Sequence, residues 1–190
     1  MSEIPRMLIV LTLICAACAL LLSGVRSMTA DQIERQILVN VQGPAVEGVL
    51  EGSENDLIAD RRDVRVDDRE LTVFVGKRGG DPWAIAYQTS GVGFGGDVEV
   101  IAGFDVTSDE ITGLRVVMHK ETPGIGSKVT EEQFTKQFDG RAIEGQHAIE
   151  PDGGDIESVT GATYSSRAAA EGLQKAAALY DEVKQQVLTP

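Results

Sequence analysis

The longest apolar stretch of the sequence lies close to its N-terminus. Residues 7–25 contain no charged side chain and consist largely of Leu, Ile and Ala, between Arg6 and Arg26. Their length, about 19 residues, approaches the roughly 20 that an α-helix needs to cross a bilayer. The pattern predicts an uncleaved transmembrane anchor whose orientation is only weakly encoded by the flanking charges.

Two other interpretations of this stretch remain open. A cleaved signal peptide has a shorter apolar region that ends in small residues, and residues 21–24 (Leu-Leu-Ser-Gly) imitate such an end. A lipid-modified Cys18 is the second alternative, although the residues before it fit such a signal poorly. The length of the apolar stretch favours the anchor.

A helical pattern and then an irregular one follow the anchor. Residues 29–32 (Thr-Ala-Asp-Gln) have the form of a capping box, and apolar residues then recur at helical spacing. We therefore predict a helix over residues 31–41 that ends at Gly43 and Pro44. Residues 45–70 are rich in charge and poorly periodic, which is typical of a solvated connector.

Short strands and two further helices are predicted for the rest of the chain. A capping-box pattern at Thr130 indicates a short helix that ends near Gly140, and residues 165–187 have the apolar stripe of a long helix. The fold class is therefore α+β, an antiparallel sheet with flanking helices. Alternating apolar and polar residues predict strands at 71–75, 83–88, 97–106 and 111–119.

The chain divides by these patterns into three parts. Its 190 residues are enough for one domain of ordinary size and an anchor. We predict an N-terminal start with the anchor, a membrane-proximal helix with its connector, and one globular domain. Their predicted ranges are 1–28, 29–70 and 71–190.

Composition excludes several classes of function. The formal net charge is -13, from 30 acidic and 17 basic residues, and only 5% of the residues are aromatic. A nucleic-acid partner is therefore not expected. Both cysteines lie in the apolar stretch, and the chain has only two histidines. We accordingly expect no metal site in the globular domain.

A loop of small residues leads into the long predicted helix. It reads Thr160-Gly161-Ala162-Thr163. Gly161 permits backbone angles that other residues resist. The first N–H groups of a helix lack partners within it, and the helix dipole favours an anion there. Thr163 therefore either carries a phosphate-linked group or belongs to an ordinary N-cap loop.

Two separate motifs, at residues 119–126 and 160–163, together resemble a known family. Residues 160–163 match the Ser/Thr-Gly-Ala-Thr signature of FMN-binding domains that carry flavin covalently, with Glu157 where the family usually has Asp. Residues 119–126 (His-Lys-Glu-Thr-Pro-Gly-Ile-Gly) resemble a loop of the G subunit of the Rnf complex, with Ile125 in place of Leu. That complex is a membrane-bound ferredoxin:NAD oxidoreductase that moves ions.

The resemblance implies a cofactor and a place for it. FMN would be joined through its phosphate to Thr163 as a phosphoester, made from FAD by a flavin transferase. We expect no catalytic residue of a hydrolytic type in the chain. The resemblance places the glycine-rich residues 90–96 near the flavin cleft. Thr160, Gly161 and Ala162 would shape the loop that the transferase reaches. A second wall of the site would come from Glu121, Thr122, Gly124, Ile125 and Gly126.

The resemblance also implies a setting for the whole chain. Residues 71–190 would be the FMN-binding domain of a redox subunit without independent catalysis, single-pass in the inner membrane. The N-terminus would lie in the cytoplasm and the domain on the periplasmic side. Its partners would be the other subunits of the Rnf complex, the flavin transferase and membrane lipid. The alternatives are a covalent-FMN subunit of a different membrane reductase, such as a quinone-linked chain, and a cofactor-free anchored binding domain.

Overall fold

The computed structural model describes residues 3–66 and 69–188. The chain divides into two compact units, and the boundary in the sequence lies between Val39 and Asn40. The first unit is entirely helical, and the second contains the sheet and the remaining helices.

Helix α1, Glu3–Ile37, is a single helix of 35 residues. At 1.5 Å per residue it is roughly 52 Å long, more than the roughly 30 Å hydrocarbon core of a bilayer. It has no buried residue, and it is long and apolar enough to cross a membrane. The prediction of a separate helix capped at Thr29 is wrong. Thr29 lies inside α1, and its hydroxyl donates a hydrogen bond to the carbonyl of Val25 (2.9 Å).

The helical path does not end at Gly43, contrary to the prediction. Leu38–Gln42 form a π-helical turn, and helix α2, Gly43–Val49, follows directly. Pro44 lies in the first turn of α2, where its missing N–H would have had no partner within the helix. Because Val46 of α2 is fully buried, this segment is part of the folded core and not of a solvated connector.

Five strands form one antiparallel sheet in sequence order, from β1 at one edge to β5 at the other. The four predicted strands are all present as β2 to β5, and the first two are several residues longer than predicted. The strands are β1 Arg62–Val66, β2 Arg69–Arg78, β3 Asp81–Val92, β4 Asp97–Asp105 and β5 Glu110–Met118.

Strand β1 lies in the stretch that was predicted to be an irregular connector. Val64 and Val66 are buried, whereas the charged residues of β1 are exposed. Charged side chains are common on edge strands, where they prevent pairing with other chains. They also make the strand hard to predict from the sequence, because only two of its five residues are apolar.

Helix α4, Thr163–Leu188, packs on one face of the sheet and forms the main core with it. The approach is close, since a Cβ atom added to Gly172 would lie 2.6 Å from Cγ2 of Val100. The hydroxyl of Tyr87 donates to the carbonyl of Ala176 (2.7 Å). This packing fixes the position of the helix start relative to strands β3 and β4.

The opposite face of the sheet is covered by α2. The carbonyl of Val49 accepts a hydrogen bond from the Thr112 hydroxyl (2.5 Å). A Cβ atom on Gly103 would lie 3.0 Å from that of Val49. Successive residues of a strand point to opposite faces, so β4 and β5 contribute to both layers. The second unit is therefore a sheet between two helices.

The short predicted helix is present, but without its predicted cap. Helix α3 covers Glu132–Thr135 and is followed by a 3-10 turn. Thr130 does not cap it, because its hydroxyl donates to the carbonyl of Ser127 (2.9 Å). Phe134 and Phe138 are buried with their ring centroids 5.5 Å apart, which confirms their prediction as core residues.

Candidate functional site

The loop of residues 160–163, here called the attachment loop, ends at the first residue of α4. Gly161 has a φ of +78°, in the left-handed region that glycine tolerates best. Below the loop, the backbone N–H of Val159 donates to the hydroxyl of Ser166 (3.0 Å). The loop thus closes tightly, with Ala162 buried and Thr160 exposed.

Thr163 is half-buried at this helix start. Neither its hydroxyl nor that of Thr160 forms a hydrogen bond with the described residues. The backbone N–H groups of Thr163, Tyr164 and Ser165 likewise have no acceptor within residues 3–66 and 69–188. An ordinary threonine N-cap would use its side-chain oxygen to accept from such groups. The arrangement instead leaves both the hydroxyl and the anion-binding N–H groups free.

The loop of residues 119–126, here called the wall loop, follows β5. Gly124 has a φ of +78°, and its N–H donates to the hydroxyl of Ser127 (2.9 Å). The N–H of Ile125 donates to the carbonyl of Thr122 (3.2 Å). Thr122, Gly124 and Ile125 are exposed, whereas Glu121 and Gly126 are buried. The wall loop therefore has an outer surface and an inner anchor.

Glu121 is that anchor, a residue only 6% exposed. Its Oε2 accepts a hydrogen bond from the Ser165 hydroxyl (2.6 Å), in the first turn of α4. Its Oε1 accepts one from the N–H of Gly95 (3.0 Å), in the glycine-rich residues 90–96, here called the glycine loop. One carboxylate thus joins the glycine loop, the wall loop and the start of α4.

Glycine is required around this carboxylate because there is no room for side chains. A Cβ atom on Gly93 would collide with Oε1 of Glu121. One on Gly126 would lie 2.7 Å from the Cβ of Glu121, and one on Gly95 would collide with the carbonyl oxygen of Lys120. The three segments are therefore packed directly against one another.

The outer surfaces of the three segments also meet. A Cβ atom on Gly161 would lie 3.8 Å from Cγ2 of Ile125, so the attachment and wall loops lie next to each other. Phe94 of the glycine loop and Tyr164 of α4 form an aromatic pair with centroids 6.3 Å apart. The sequence-predicted residues are thus brought together around the start of α4.

Sequence reasoning missed three residues of this cluster. Phe94, Tyr164 and Ser165 were not among the predicted site residues, although Tyr164 and Ser165 directly follow Thr163. An aromatic side chain within a run of glycines is the signal that could have pointed to Phe94. The role of Ser165 could not be found in this way, because its partner Glu121 is 44 positions earlier in the chain.

An ion pair lies beside the aromatic pair. The Arg167 guanidinium donates from Nε to Oδ2 of Asp152 (2.5 Å) and from Nη2 to Oδ1 (2.7 Å). These hydrogen bonds hold the pKa of the Asp152 carboxyl below its usual value. The guanidinium carbon lies 5.3 Å from the Tyr164 ring. The positive charge next to the site is therefore compensated.

Comparison with known proteins places this geometry in a family. The family model described as the FMN-binding domain matches residues 93–178, which include the wall loop and the attachment loop. The G subunit of the ion-translocating oxidoreductase complex from Stutzerimonas stutzeri is 35% identical over 178 residues, which cover 87% of this chain and 76% of that protein. This chain belongs to the family of those G subunits.

Another relative matches nearly end to end. The G subunit from Aliivibrio fischeri is 27% identical over 205 aligned positions, which cover 100% of this chain and 96% of that protein. The predicted resemblance to the Rnf G subunit is confirmed, and the chain carries an FMN-binding domain. The alternatives of a quinone-linked reductase subunit and of a cofactor-free binding domain are not favoured by these matches.

Two solved structures share the fold. The C subunit of the Na⁺-translocating NADH-quinone reductase from Parabacteroides distasonis has a TM-score of 0.52 and 23% identity, and the match covers 75% of each chain. The NqrC structure from Shewanella oneidensis has a TM-score of 0.53 and 17% identity, and the match covers 73% of this chain and 72% of that one. They confirm the predicted α+β class.

Proposed function

We propose that this member of the G-subunit family carries FMN on Thr163 as a phosphoester and passes electrons between other subunits of an Rnf-type complex. When bound, FMN supplies the redox chemistry, because its ring takes up and releases electrons. The chain's own residues supply the tether and the surroundings of the ring. In this proposal the chain carries electrons within the complex and does not catalyse a reaction on its own.

The observation that carries the proposal is the state of Thr163. Its hydroxyl is unbonded within the described residues, and it stands at a helix start whose N–H groups have no acceptor there. Those N–H groups and the helix dipole stabilise a phosphate attached to this oxygen. In the attachment reaction, the Thr163 oxygen would bond to the FMN phosphorus of FAD. The bond to AMP would break, and AMP and the hydroxyl proton would leave.

The attachment loop is suited to an enzyme that must reach Thr163. Thr160 and Gly161 are exposed, and Gly161 carries no side chain that could block the approach. Nearby, the amide of Gln137 accepts from the N–H of Glu157 (2.7 Å) and donates to its carbonyl (3.1 Å). This fixes the Glu157 backbone and leaves its side chain exposed. We propose that the flavin transferase binds this surface.

Glu121 has a positioning role in this proposal. Because its carboxylate is engaged by Ser165 and Gly95, it holds the wall loop and the glycine loop against the start of α4. Thr122, Gly124 and Ile125 then form the exposed side of the wall loop, and Ile125 lies next to the attachment loop. The N–H and hydroxyl donors fix this carboxylate in place beneath the proposed flavin site.

The setting of the domain is part of the same proposal. We infer that α1 is the membrane anchor, with lipid as its surroundings, the N-terminus in the cytoplasm and the FMN-binding domain outside. A covalent bond is useful there, because a carrier that loses scarce FMN outside the cytoplasm cannot replace it. The domain boundaries at residues 28 and 70 remain a prediction.

The test is fluorescence of the protein in a denaturing gel. The full chain is produced together with a flavin transferase, and covalent flavin is expected to remain fluorescent on the unfolded band. Thr163→Ala should abolish the fluorescence without unfolding the protein, since the Thr163 hydroxyl forms no hydrogen bond within the described residues that the change would remove. Thr160→Ser, which keeps the family's Ser/Thr signature, is the matched control and should stay fluorescent. A fluorescent Thr163→Ala band would overturn the proposal.

A further inference from the structure

The surface beside Thr163 exposes two aromatic side chains. Phe94 is 78% exposed and Tyr164 is 62% exposed. They are the only exposed aromatic side chains of the chain, all of whose Phe, Tyr and Trp residues lie within the described ranges. Ile125, 50% exposed, lies next to Gly161 and so belongs to the same side of the site. Large apolar side chains that are exposed together are typical of a surface that binds a ligand or a partner molecule.

The two aromatic residues are held in place by the same carboxylate. Phe94 precedes Gly95, whose N–H donates to Oε1 of Glu121 (3.0 Å). Tyr164 precedes Ser165, whose hydroxyl donates to Oε2 of Glu121 (2.6 Å). The rings lie 6.3 Å apart at an angle of 53°. The carboxylate therefore fixes the chain next to both residues, and the two rings lie beside each other as one apolar surface.

We propose that Phe94 and Tyr164 form a platform on which the isoalloxazine ring of FMN rests, with Ile125 at its edge. This inference rests on the proposed attachment at Thr163. Aromatic rings favour offset or edge-to-face contact with one another at centroid distances of about 4.5–7 Å. The platform thus offers the flavin ring the kind of surface that a planar aromatic group prefers.

The tether identifies the flavin as the occupant. Tyr164 is covalently adjacent to Thr163, so a ring attached to that residue remains within reach of the platform. A short flexible link gives an effective concentration in the millimolar range, and weak stacking then suffices to keep the ring in place. Arg167, which lies over Tyr164, is neutralised by Asp152. The positive charge of Arg167 is therefore already compensated when the ring binds.

The test measures the access of iodide to the flavin in the full chain. Iodide quenches flavin fluorescence only where it can reach the ring. Phe94→Ala and Tyr164→Ala should each raise the quenching constant about two- to tenfold, the factor that corresponds to one aromatic contact. Tyr164→Phe keeps the ring and should behave as the unchanged chain does.

The matched control is Leu188→Ala. Leu188 is also an exposed apolar residue, but it lies at the far end of α4, roughly 37 Å from Thr163 at 1.5 Å per residue. It should leave the quenching constant unchanged. Phe94 lies outside the attachment loop, so its variant tests the platform even if Tyr164→Ala alters the transferase reaction.

The outcomes separate the platform from the attachment. Covalent flavin on every chain, with an unchanged quenching constant in both alanine variants, would overturn the platform alone. Absence of covalent flavin from the unchanged chain would overturn the attachment and the platform together. Loss of assembly with other subunits at an unchanged quenching constant would assign the two aromatic residues to a protein interface instead, against the proposal.

Discussion

At the residue scale, the site depends on Glu121 as much as on Thr163. Thr163 offers the oxygen, but the surfaces around it come from three separate segments of the chain. The Glu121 carboxylate accepts hydrogen bonds from two of them and belongs to the third. A buried carboxylate with two donors resists replacement, because removing it leaves those donors without an acceptor.

Changes at Glu121 should therefore separate its charge from its hydrogen bonds. Glu121→Ala should lower the free energy of unfolding by about 1–3 kcal/mol, because buried donors lose their acceptor. Glu121→Gln keeps an acceptor and should cost less, yet it should raise the flavin's reduction potential, because a negative charge near the ring disfavours its reduced anionic form. Denaturant unfolding and a redox titration measure the two effects.

The control for the redox titration is Glu182→Gln. Glu182 is exposed on α4, roughly 28 Å along the helix from Thr163 at 1.5 Å per residue. Charges at that distance are screened, since the Debye length is about 10 Å at 0.1 M salt. Equal potentials for the Glu121→Gln and Glu182→Gln variants would show that Glu121 acts on structure only.

At the scale of elements, the site is positioned by the packing of α4 on the sheet. The first turn of α4 carries Thr163 and Ser165, and the rest of the helix lies against β3 and β4. Small residues permit the close approach, as at Gly172 beside Val100. A change in this packing should therefore also shift the first turn of α4, because the helix moves as a rigid unit.

Gly172→Ala should accordingly be destabilising, although alanine favours helix by about 1 kcal/mol. The added methyl group would lie 2.6 Å from Cγ2 of Val100, and such overpacking costs about 1–3 kcal/mol. Combining it with Val100→Ala should recover part of the loss, because the clash disappears. Denaturant unfolding of the two single variants and the double variant measures this coupling. Strictly additive effects would contradict the predicted clash.

At the scale of the whole molecule, the chain separates membrane attachment from cofactor binding. Helix α1 has no buried residue in the described structure, and the sheet and its core lie in the second unit. The hydrophobic effect that retains such a helix in lipid is not screened by salt, unlike a surface charge contact.

The full chain should therefore remain in membranes through washes with high salt and carbonate. A shortened chain that begins at Ser27 should be soluble and still accept flavin at Thr163. Fractionation followed by in-gel fluorescence checks both expectations. A mature N-terminus after Gly24, or a lipid on Cys18, would contradict the uncleaved anchor.

The helices and strands of this fold can be predicted from the sequence more reliably than the contacts between distant side chains. Strands β2 to β5 and helix α4 follow from alternation and periodicity, because each has a clear apolar face. Strand β1 was missed because its exposed positions are charged, and α2 because Gly43 and Pro44 imitate a helix end. Local patterns cannot show that Glu121 bonds to Ser165 and Gly95, since those contacts depend on how α4 packs on the sheet.

The most direct test of the central claim is a mass spectrum of the tryptic peptide that spans residues 142–167. Cleavage after Arg141 and Arg167 releases this peptide with both Thr160 and Thr163, and no other Lys or Arg interrupts it. The peptide should be heavier by FMN less one water, and fragmentation should place that mass on Thr163. An unmodified peptide, or the added mass on Thr160, would contradict the proposed attachment.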